Sequence, residues 1–540
     1  MMEGHVLIVG AGPTGLLLAC ELSRRGVSHR LIERAALPAE GSRGKGLQPR
    51  TLEIFEDLAI VAGLIGNGRF DLPVVLHGDG GGALLTQSAA PRDGAPFGAT
   101  LLTPQWRVEA ALRSCLAELG GRVEWGTELV AVKQAGDRVF AQVRRDGVDE
   151  WIEAGWLVGC DGGQGAVRRS CGVPFVGETF EQIRMWVGDL TVAGLDRDHS
   201  HLWRDREAFL ALCPLPSTDQ FQFQARIDGD ERREPSLRLF QELVCQRTGR
   251  SDINLTGVGW ISTWRANVRL AERFREGRAL LAGDAAHVHS PAGAQGMNTG
   301  IQDAYNLGWT LAAVLAGADE SLLDTYQEER LPIAQEVLAL SNELTRTAFS
   351  PDLRRDERTL QLDINYRSSG LSVELKSTSS VVRAGDRAPD AMGLRGPGGI
   401  VQRLFDLLRG ATPIVLVFGG SVPLALEAAL ERFGRSVRVV CLASAGREPV
   451  DGGWVDEDGS AWRVYGPGPE TIFVVRPDGY VGLTGSTADV AELSDYLRRI
   501  VGPLRDPRHA ERMPSCSGRP DPSPTAVEVA STMHHLEYAR

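Results

Sequence analysis

Three glycines and one acid near the start of the chain carry its clearest chemical signal. The run Val6-Leu-Ile-Val-Gly10-Ala-Gly12-Pro13-Thr14-Gly15 leads into a helix-forming stretch ending at Leu22, and Glu33 closes a second apolar run that starts at Ser28. In this spacing Gly10 permits a tight turn after a strand, Gly12 lets the backbone approach a pyrophosphate, and Gly15 allows a helix to pack closely on the strand. The helix start then turns free N–H groups and a positive dipole end towards the phosphates. Glu33, about 20 residues further on, is placed to accept hydrogen bonds from an adenosine ribose. The chemistry expected is dinucleotide binding by a βαβ unit, with Pro13, Thr14 and Arg34 counted in the same cofactor set.

Those residues need a scaffold, and the 540-residue chain can supply one: at about 150 residues per domain it suggests three or four units. Its 58 Lys and Arg against 70 Asp and Glu leave a net charge of -12, which disfavours a nucleic-acid partner and favours a small-molecule ligand. The eight cysteines are scattered, with neither C-x-x-C nor zinc-ligand spacing, and fit reduced thiols in a cytoplasmic protein. A strand pattern begins within a few residues of Met1, which leaves no room for a signal peptide, and no run reaches the roughly 18 apolar residues needed to span a membrane. Lysine occurs only at Lys45, Lys133 and Lys376, while arginine abounds, as in a chain from a GC-rich genome.

The patterning alternates along the chain. Helices are expected over residues 50–58 and 107–119, a period-two meander over 123–154, and a buried strand ending at the Asp161-Gly162 turn. From about 180 to 264 longer, aromatic-rich strands suggest a sheet that covers a ligand. Residues 277–287 return to a nucleotide-site pattern, followed by helices over 299–316 and 322–350 and a polar linker over 351–380. A second α/β unit follows, and the tail, rich in Pro, Ser and charge, reads as disordered. The organisation expected is a discontinuous cofactor domain of 1–180 and 265–380, a sheet domain of 181–264, an α/β domain of 381–505 and a disordered tail of 506–540.

Six ordered motifs make the reading specific. They are the Gly10 to Gly15 run, Ser42-Arg43 through Arg50-Thr-Leu-Glu53, Gln105-Trp-Arg-Val-Glu109, Cys160-Asp161-Gly162, Gly283-Asp284-Ala-Ala-His287, and Pro291-Ala-Gly293-Ala-Gln-Gly296-Met297-Asn298. Over nearly the whole chain they resemble the single-component FAD-dependent aromatic hydroxylases, of the phenol hydroxylase and aromatic polyketide hydroxylase type. The resemblance implies an α/β fold: a Rossmann-like FAD-binding domain with an interleaved β-sheet substrate domain, as in p-hydroxybenzoate hydroxylase, plus a C-terminal thioredoxin-like α/β domain. Lacking C-x-x-C, that last domain cannot exchange disulfides.

Roles follow from the same resemblance. Asp284 would hydrogen-bond the ribityl chain or ribose of FAD, Arg43 would stand beside flavin and pyrophosphate as a forked donor, and Gln105 would contact the flavin side chain. Pro291, Gly293, Gly296, Met297 and Asn298 would shape a loop that presents backbone N–H groups to the isoalloxazine carbonyls, and the following helix would aim its dipole at the reduced ring. Asp161 would serve FAD and the transient NAD(P)H contact. Ala294 stands where many relatives have glycine, which puts the loop's geometry in question. His287 and His289 are given no catalytic role, and no catalytic residue is named.

The activity implied is reduction of FAD by NADPH or NADH, addition of O2 at flavin C4a, and transfer of oxygen from the C4a-hydroperoxide to an aromatic ring. Trp186, Trp203, Phe209, Phe221, Phe223 and Trp264 are candidates to line the substrate cavity, because flat ligands favour aromatic walls, although core packing explains them as well. No second GxGxxG marks a separate nicotinamide domain. A polycyclic aromatic polyketide in antibiotic biosynthesis is the first substrate expected. The alternatives are a simple phenol or phenylpropionate, antibiotic-inactivating hydroxylation, Baeyer-Villiger oxygen insertion on this scaffold, and a non-catalytic flavin-binding protein. The partners expected are the aromatic substrate and O2, with no nucleic acid, membrane or metal, and with a homodimer left open.

Overall fold

A segment as uniformly apolar as Val6-Leu-Ile-Val is stable where both faces of its strand are covered. In the computed structural model, which describes residues 6–70, 72–78, 83–85, 92–204, 209–227, 229, 231–290, 292–347, 357–375, 380–447, 452–468 and 470–502, this strand is buried throughout. Val6–Val9 pairs in parallel with His29–Ile32 on one side and Trp156–Gly159 on the other. The sheet continues in parallel to Val123–Glu124 and Ala279–Leu281, with Arg275–Glu276 as an antiparallel edge. Helix Pro13–Arg24 packs on it and against helix Gly296–Leu315. Their approach is close enough to require glycine: a Cβ on Gly15 would stand 1.9 Å from the Gly10 carbonyl oxygen, and one on Gly300 2.5 Å from Thr14 Oγ1.

The second large sheet has eight strands, dominated by Phe175–Ala193 and Asn254–Ala271, which pair antiparallel along nearly their whole lengths. Gln220–Arg226, Phe209–Pro214 and Ser200–Arg204 extend it antiparallel, and Val74–His77 joins beyond them in parallel. Helix Leu237–Thr248 covers one face. Ser236 Oγ accepts from the Leu239 N–H at its start, and Gly249 ends it with φ +66°. The period-two stretch after residue 123 forms a separate antiparallel sheet of Thr127–Ala135, Arg138–Arg145 and Val148–Ala154.

The C-terminal sheet is built around Ile414–Phe418, parallel to Arg438–Ser444 and antiparallel to Thr471–Val475, with helices Leu424–Glu431 and Val490–Val501 packed together. Strand Val373–Glu374 completes this sheet from a segment expected to be linker. That expectation is corrected further upstream: Gln361 Nε2 donates to Gln295 Oε1 and Thr299 Oγ1, and the buried Tyr366 accepts from Arg330, so the described part of the segment is packed against the start of helix Gly296–Leu315. The tail expected to be disordered lies outside the described residues. Among the described residues no helix is long and apolar enough to cross a membrane.

A buried ionic network joins the C-terminal sheet to the rest. Arg476 donates to both Glu329 oxygens, at 2.6 and 2.9 Å, and to both Asp478 oxygens, at 3.1 and 2.5 Å. Asn306, on helix Gly296–Leu315, donates to the same two acids.

Candidate cofactor and substrate site

The glycine-rich turn, loop 41–48, the start of helix Gln105–Glu118 and the start of helix Gly296–Leu315 meet at the C-terminal edge of the parallel sheet. Gly12 differs from its neighbours in the turn. A Cβ on Gly10 would lie 2.4 Å from the Cys160 carbonyl oxygen, whereas one on Gly12 would meet nothing within 4 Å. Internal packing therefore demands Gly10 and Gly15, while at Gly12 it leaves room for a phosphate to approach the backbone. Pro13 opens the helix, where its missing N–H leaves no bond unmade. Glu33 accepts from the Ala11 N–H and the Ala35 N–H, both at 2.9 Å, and is thereby fixed beside the turn; Arg34 is exposed.

Asp284 follows Gly283, whose φ of +61° and contact with Thr14 hold it next to the first helix. Its side chain is exposed, yet desolvation pushes its carboxyl up, with His287 and Arg43 pulling it back. It accepts no hydrogen bond among the described residues. Arg43 is exposed at the rim, and its charge also acts on Glu109, whose carboxyl is raised by burial and lowered by Gln105.

The loop expected to face the flavin is held by side chains. Asn298 Oδ1 accepts from the Gln48 N–H at 2.8 Å, and its Nδ2 donates to the carbonyls of Gly46 and Ala294 at 2.9 and 2.7 Å. Gln48 Nε2 reaches the Gly293 carbonyl at 3.1 Å, and Gly44 N–H donates to Gln105 Oε1 at 3.0 Å, with Met297 packed alongside. Gly293 has φ +83°, and Ala294 has φ +55°, a left-handed conformation that costs an alanine roughly 1 kcal/mol. Gly296 begins the helix, three residues before the expected start, so its first free N–H groups belong to this loop. Pro291 lies outside the described residues.

Two sequence positions carry structural work that spacing alone did not reveal. Asp161 Oδ2 accepts from the Val167 N–H at 3.0 Å, which caps helix Ala166–Ser170, and burial raises its carboxyl. Asp303, fully buried on helix Gly296–Leu315, accepts from the Gly283 N–H at 3.0 Å, His287 Nε2 at 2.6 Å and Arg330 Nε at 2.7 Å. Burial opposes its charge, but His287 and Arg330 hold it down at about 2. His287 thus serves the motif that carries Asp284. His289 is pushed down to about 4 by burial, and its Nδ1–H donates to the Ser290 carbonyl.

Strand alternation separates the aromatic candidates. Trp186, Trp203, Phe221 and Phe223 are buried in the core under helix Leu237–Thr248, where Phe223 stacks on Phe240 at 4.3 Å. This corrects their expected place on a cavity wall: side chains alternate, and these four point away from the cofactor loops. Register puts Met185, Val187, Phe209, Gln224 and Trp264 on the other face, all half-buried. Loop 41–48 lies against that face. The Ser42 N–H donates to Asp189 Oδ2 at 2.7 Å, Gln222 Nε2 donates to the Ser42 carbonyl at 2.5 Å, and a Cβ on Gly41 would strike the Trp260 ring. Glutamines at every second place in Phe221-Gln-Phe-Gln were the available signal for this polar side.

Residues 3–341 match the FAD binding domain family, and residues 382–503 match the C-terminal domain of aromatic-ring hydroxylases. The chain belongs to the FAD-dependent aromatic-ring hydroxylase family. It is 42% identical over 508 residues to a flavin-dependent monooxygenase of Mycobacteroides abscessus, covering 92% of this chain and 100% of the relative. It is 33% identical over 563 residues to a 6-methylpretetramide 4-monooxygenase of Streptomyces rimosus, covering 98% of each. Among solved structures, aklavinone-11 hydroxylase in complex with FAD and aklavinone superposes with a TM-score of 0.79 at 27% identity, covering 93% of this chain and 99% of that one. As a member of this flavin monooxygenase family, the enzyme takes FAD as its cofactor, and its fold combines the FAD-binding domain with a thioredoxin-like C-terminal domain.

Proposed function

We propose that this enzyme uses NAD(P)H and O2 to hydroxylate a polycyclic aromatic polyketide in the cytoplasm. The observation that carries the reading is the set of unsaturated groups at the sheet edge: the open space at Gly12, the unbonded Asp284 and the exposed Arg43. These suit a dinucleotide pyrophosphate, a polyol hydroxyl and an anion in turn. In this reading the backbone at Gly12 and the start of helix Pro13–Arg24 hold the pyrophosphate, Glu33 the adenosine ribose, and Asp284 the ribityl chain. The loop from Gly293 to Asn298 holds the isoalloxazine, with Gln105 and Met297 beside it. Bound FAD supplies hydride acceptance and oxygen activation, and the protein supplies orientation and exclusion of water.

Substrate then rests on the half-buried face where Met185, Val187, Phe209 and Trp264 supply apolar surface beside the polar Gln222 and Gln224, a mixture that suits an oxygen-bearing multi-ring ligand. The polyketide class is supported by relatives named for tetracyclic substrates. Residues 1–180 and 265–380 would then serve the cofactor, 181–264 the substrate, and 381–505 the support of the flavin helix.

The test is anaerobic bleaching of the flavin by NADPH or NADH across a panel of phenols and aromatic polyketides. One compound sharply accelerating reduction is the outcome expected; a flavin left oxidised by both nucleotides throughout would overturn the reading. Asp284→Ala is expected to weaken FAD binding by at least about tenfold, through loss of a charge-assisted hydrogen bond, in an absorbance titration of the apoprotein.

A further inference from the structure

The half-buried face of the large sheet meets a cation, Lys45, that forms no ion pair among the described residues. Lys45 Nζ donates to Gln222 Oε1 at 2.6 Å, and that oxygen also accepts from Gln224 Nε2 at 2.8 Å. Gln222 is itself buried and anchored through its Nε2 to the Ser42 carbonyl, so it fixes where the ammonium points. An ammonium has three donors, and Gln222 takes one. Asp189 is the titratable group that acts on it from the sheet: its Oδ2 accepts from the Ser42 N–H, its buried Oδ1 accepts no hydrogen bond among the described residues, and it forms no ion pair with Lys45; along the loop Arg43 is of like sign.

The backbone around Lys45 is equally fixed. Its carbonyl accepts from the Thr103 N–H at 2.9 Å, Gly44 packs on Gln105 and Met297, and the Gly46 carbonyl accepts from Asn298. The ammonium is therefore carried by loop 41–48, which Gln48 and Gly46 tie to the loop proposed to face the flavin, on the side of the wall proposed for substrate. A half-buried ammonium with donors left over and no direct ion pair among the described residues favours a ligand that brings an anion, because attraction strengthens as water is excluded.

We infer that Lys45 determines specificity by binding an acidic hydroxyl of the aromatic substrate as its oxyanion, a phenolate or the enolate of a 1,3-dicarbonyl. The inference rests on the proposed function, since it names the substrate class for that site. The hydroxyl proton leaves to solvent and Lys45 keeps its own, so no bond to the protein forms. Ionisation makes the ring more electron-rich, which is what electrophilic oxygen transfer needs.

The test uses the full-length, FAD-loaded protein and alizarin, a dihydroxyanthraquinone whose visible band shifts on ionisation, beside its dimethyl ether. Wild type is expected to bind alizarin as the anion at a pH where the free dye is neutral, and the ether at least about tenfold more weakly. Lys45→Met should lose the anion band and about tenfold in affinity for alizarin while holding the ether as before; Lys45→Arg should restore the band. If wild type binds dye and ether alike, or binds neither, or if Lys45→Met keeps the anion band, the inference is overturned. The flavin-bleaching experiment separates the two readings. Anionic alizarin binding without nucleotide-driven reduction in the presence of any phenol would sink the hydroxylase reading and leave Lys45 standing. Reduction accelerated equally by phenols and their ethers would do the reverse.

Discussion

The start and the middle of helix Gly296–Leu315 treat polar groups in opposite ways. Around its start, Asp284 accepts no hydrogen bond, Arg43 is exposed, and Gly12 faces open space. Further along, Asp303 and Asn306 are buried in networks with Arg330, Glu329, Arg476 and Asp478, in which charge is matched by charge. Both regions are dense in ionisable side chains, so density does not tell a ligand site from a scaffold. What differs is whether the protein pairs its own charges.

The sharpest way to break this distinction is Arg476→Met. It leaves Glu329 and Asp478 as buried acids without their cation and should lower unfolding free energy by about 3–5 kcal/mol in urea denaturation, with FAD affinity of the folded fraction little changed. An Arg476→Met protein as stable as wild type would show that the junction is not held by its charges.

Two glycine variants carry the comparison into a single turn. Gly15→Ala drives a Cβ against the Gly10 carbonyl and should destabilise the apoprotein by roughly 3 kcal/mol. Gly12→Ala meets nothing in the apoprotein, so its loss should appear as weaker FAD binding at nearly unchanged apoprotein stability. Equal thermal shifts in the two apoproteins would contradict the assignment of Gly12 to the ligand.

Asp303 offers a pH handle on the saturated side. Its carboxyl is held at about 2, below its ordinary 3.8, so the folded protein binds fewer protons than the unfolded chain between these values. The stability it contributes, roughly 2 kcal/mol, is present above about pH 4 and is lost as pH falls towards 2. Denaturation midpoints measured from pH 5 downward should fall less steeply in Asp303→Asn. The smallest effect is expected at Ala294→Gly. Relief of the left-handed conformation outweighs the added freedom of the unfolded chain, and the net gain should be about 0.5 kcal/mol by thermal denaturation.

Much of the fold was legible because its signals are local. Val6-Leu-Ile-Val and the glycine spacing announce a covered strand and its turn, and the helices expected over 50–58 and 107–119 occur as Pro49–Asp57 and Gln105–Glu118. What escaped depends on partners distant in the chain. Nothing around Asp303 states that His287 and Arg330 converge on it, and the polar residues near Gln361 read as linker because their partners, Gln295 and Thr299, lie some sixty residues away. The aromatic wall was misplaced for a simpler reason. Alternation divides a strand into two faces, but aromatic content alone does not say which face meets the core.

That alternation has a consequence for how such an enzyme changes over generations. Along Phe175–Ala193, Trp186 and Leu190 answer to the core under helix Leu237–Thr248, while Met185 and Val187 answer to whatever occupies the opposite side. Heritable variation at Trp186 or Leu190 threatens folding, and variation one residue away at Met185 or Val187 acts on the surface that a ligand would meet. Single replacements at Met185 and Val187 can therefore change the ligand-facing surface with little cost to the core, whereas Asp189 and Gln222 on the same face remain committed to anchoring loop 41–48.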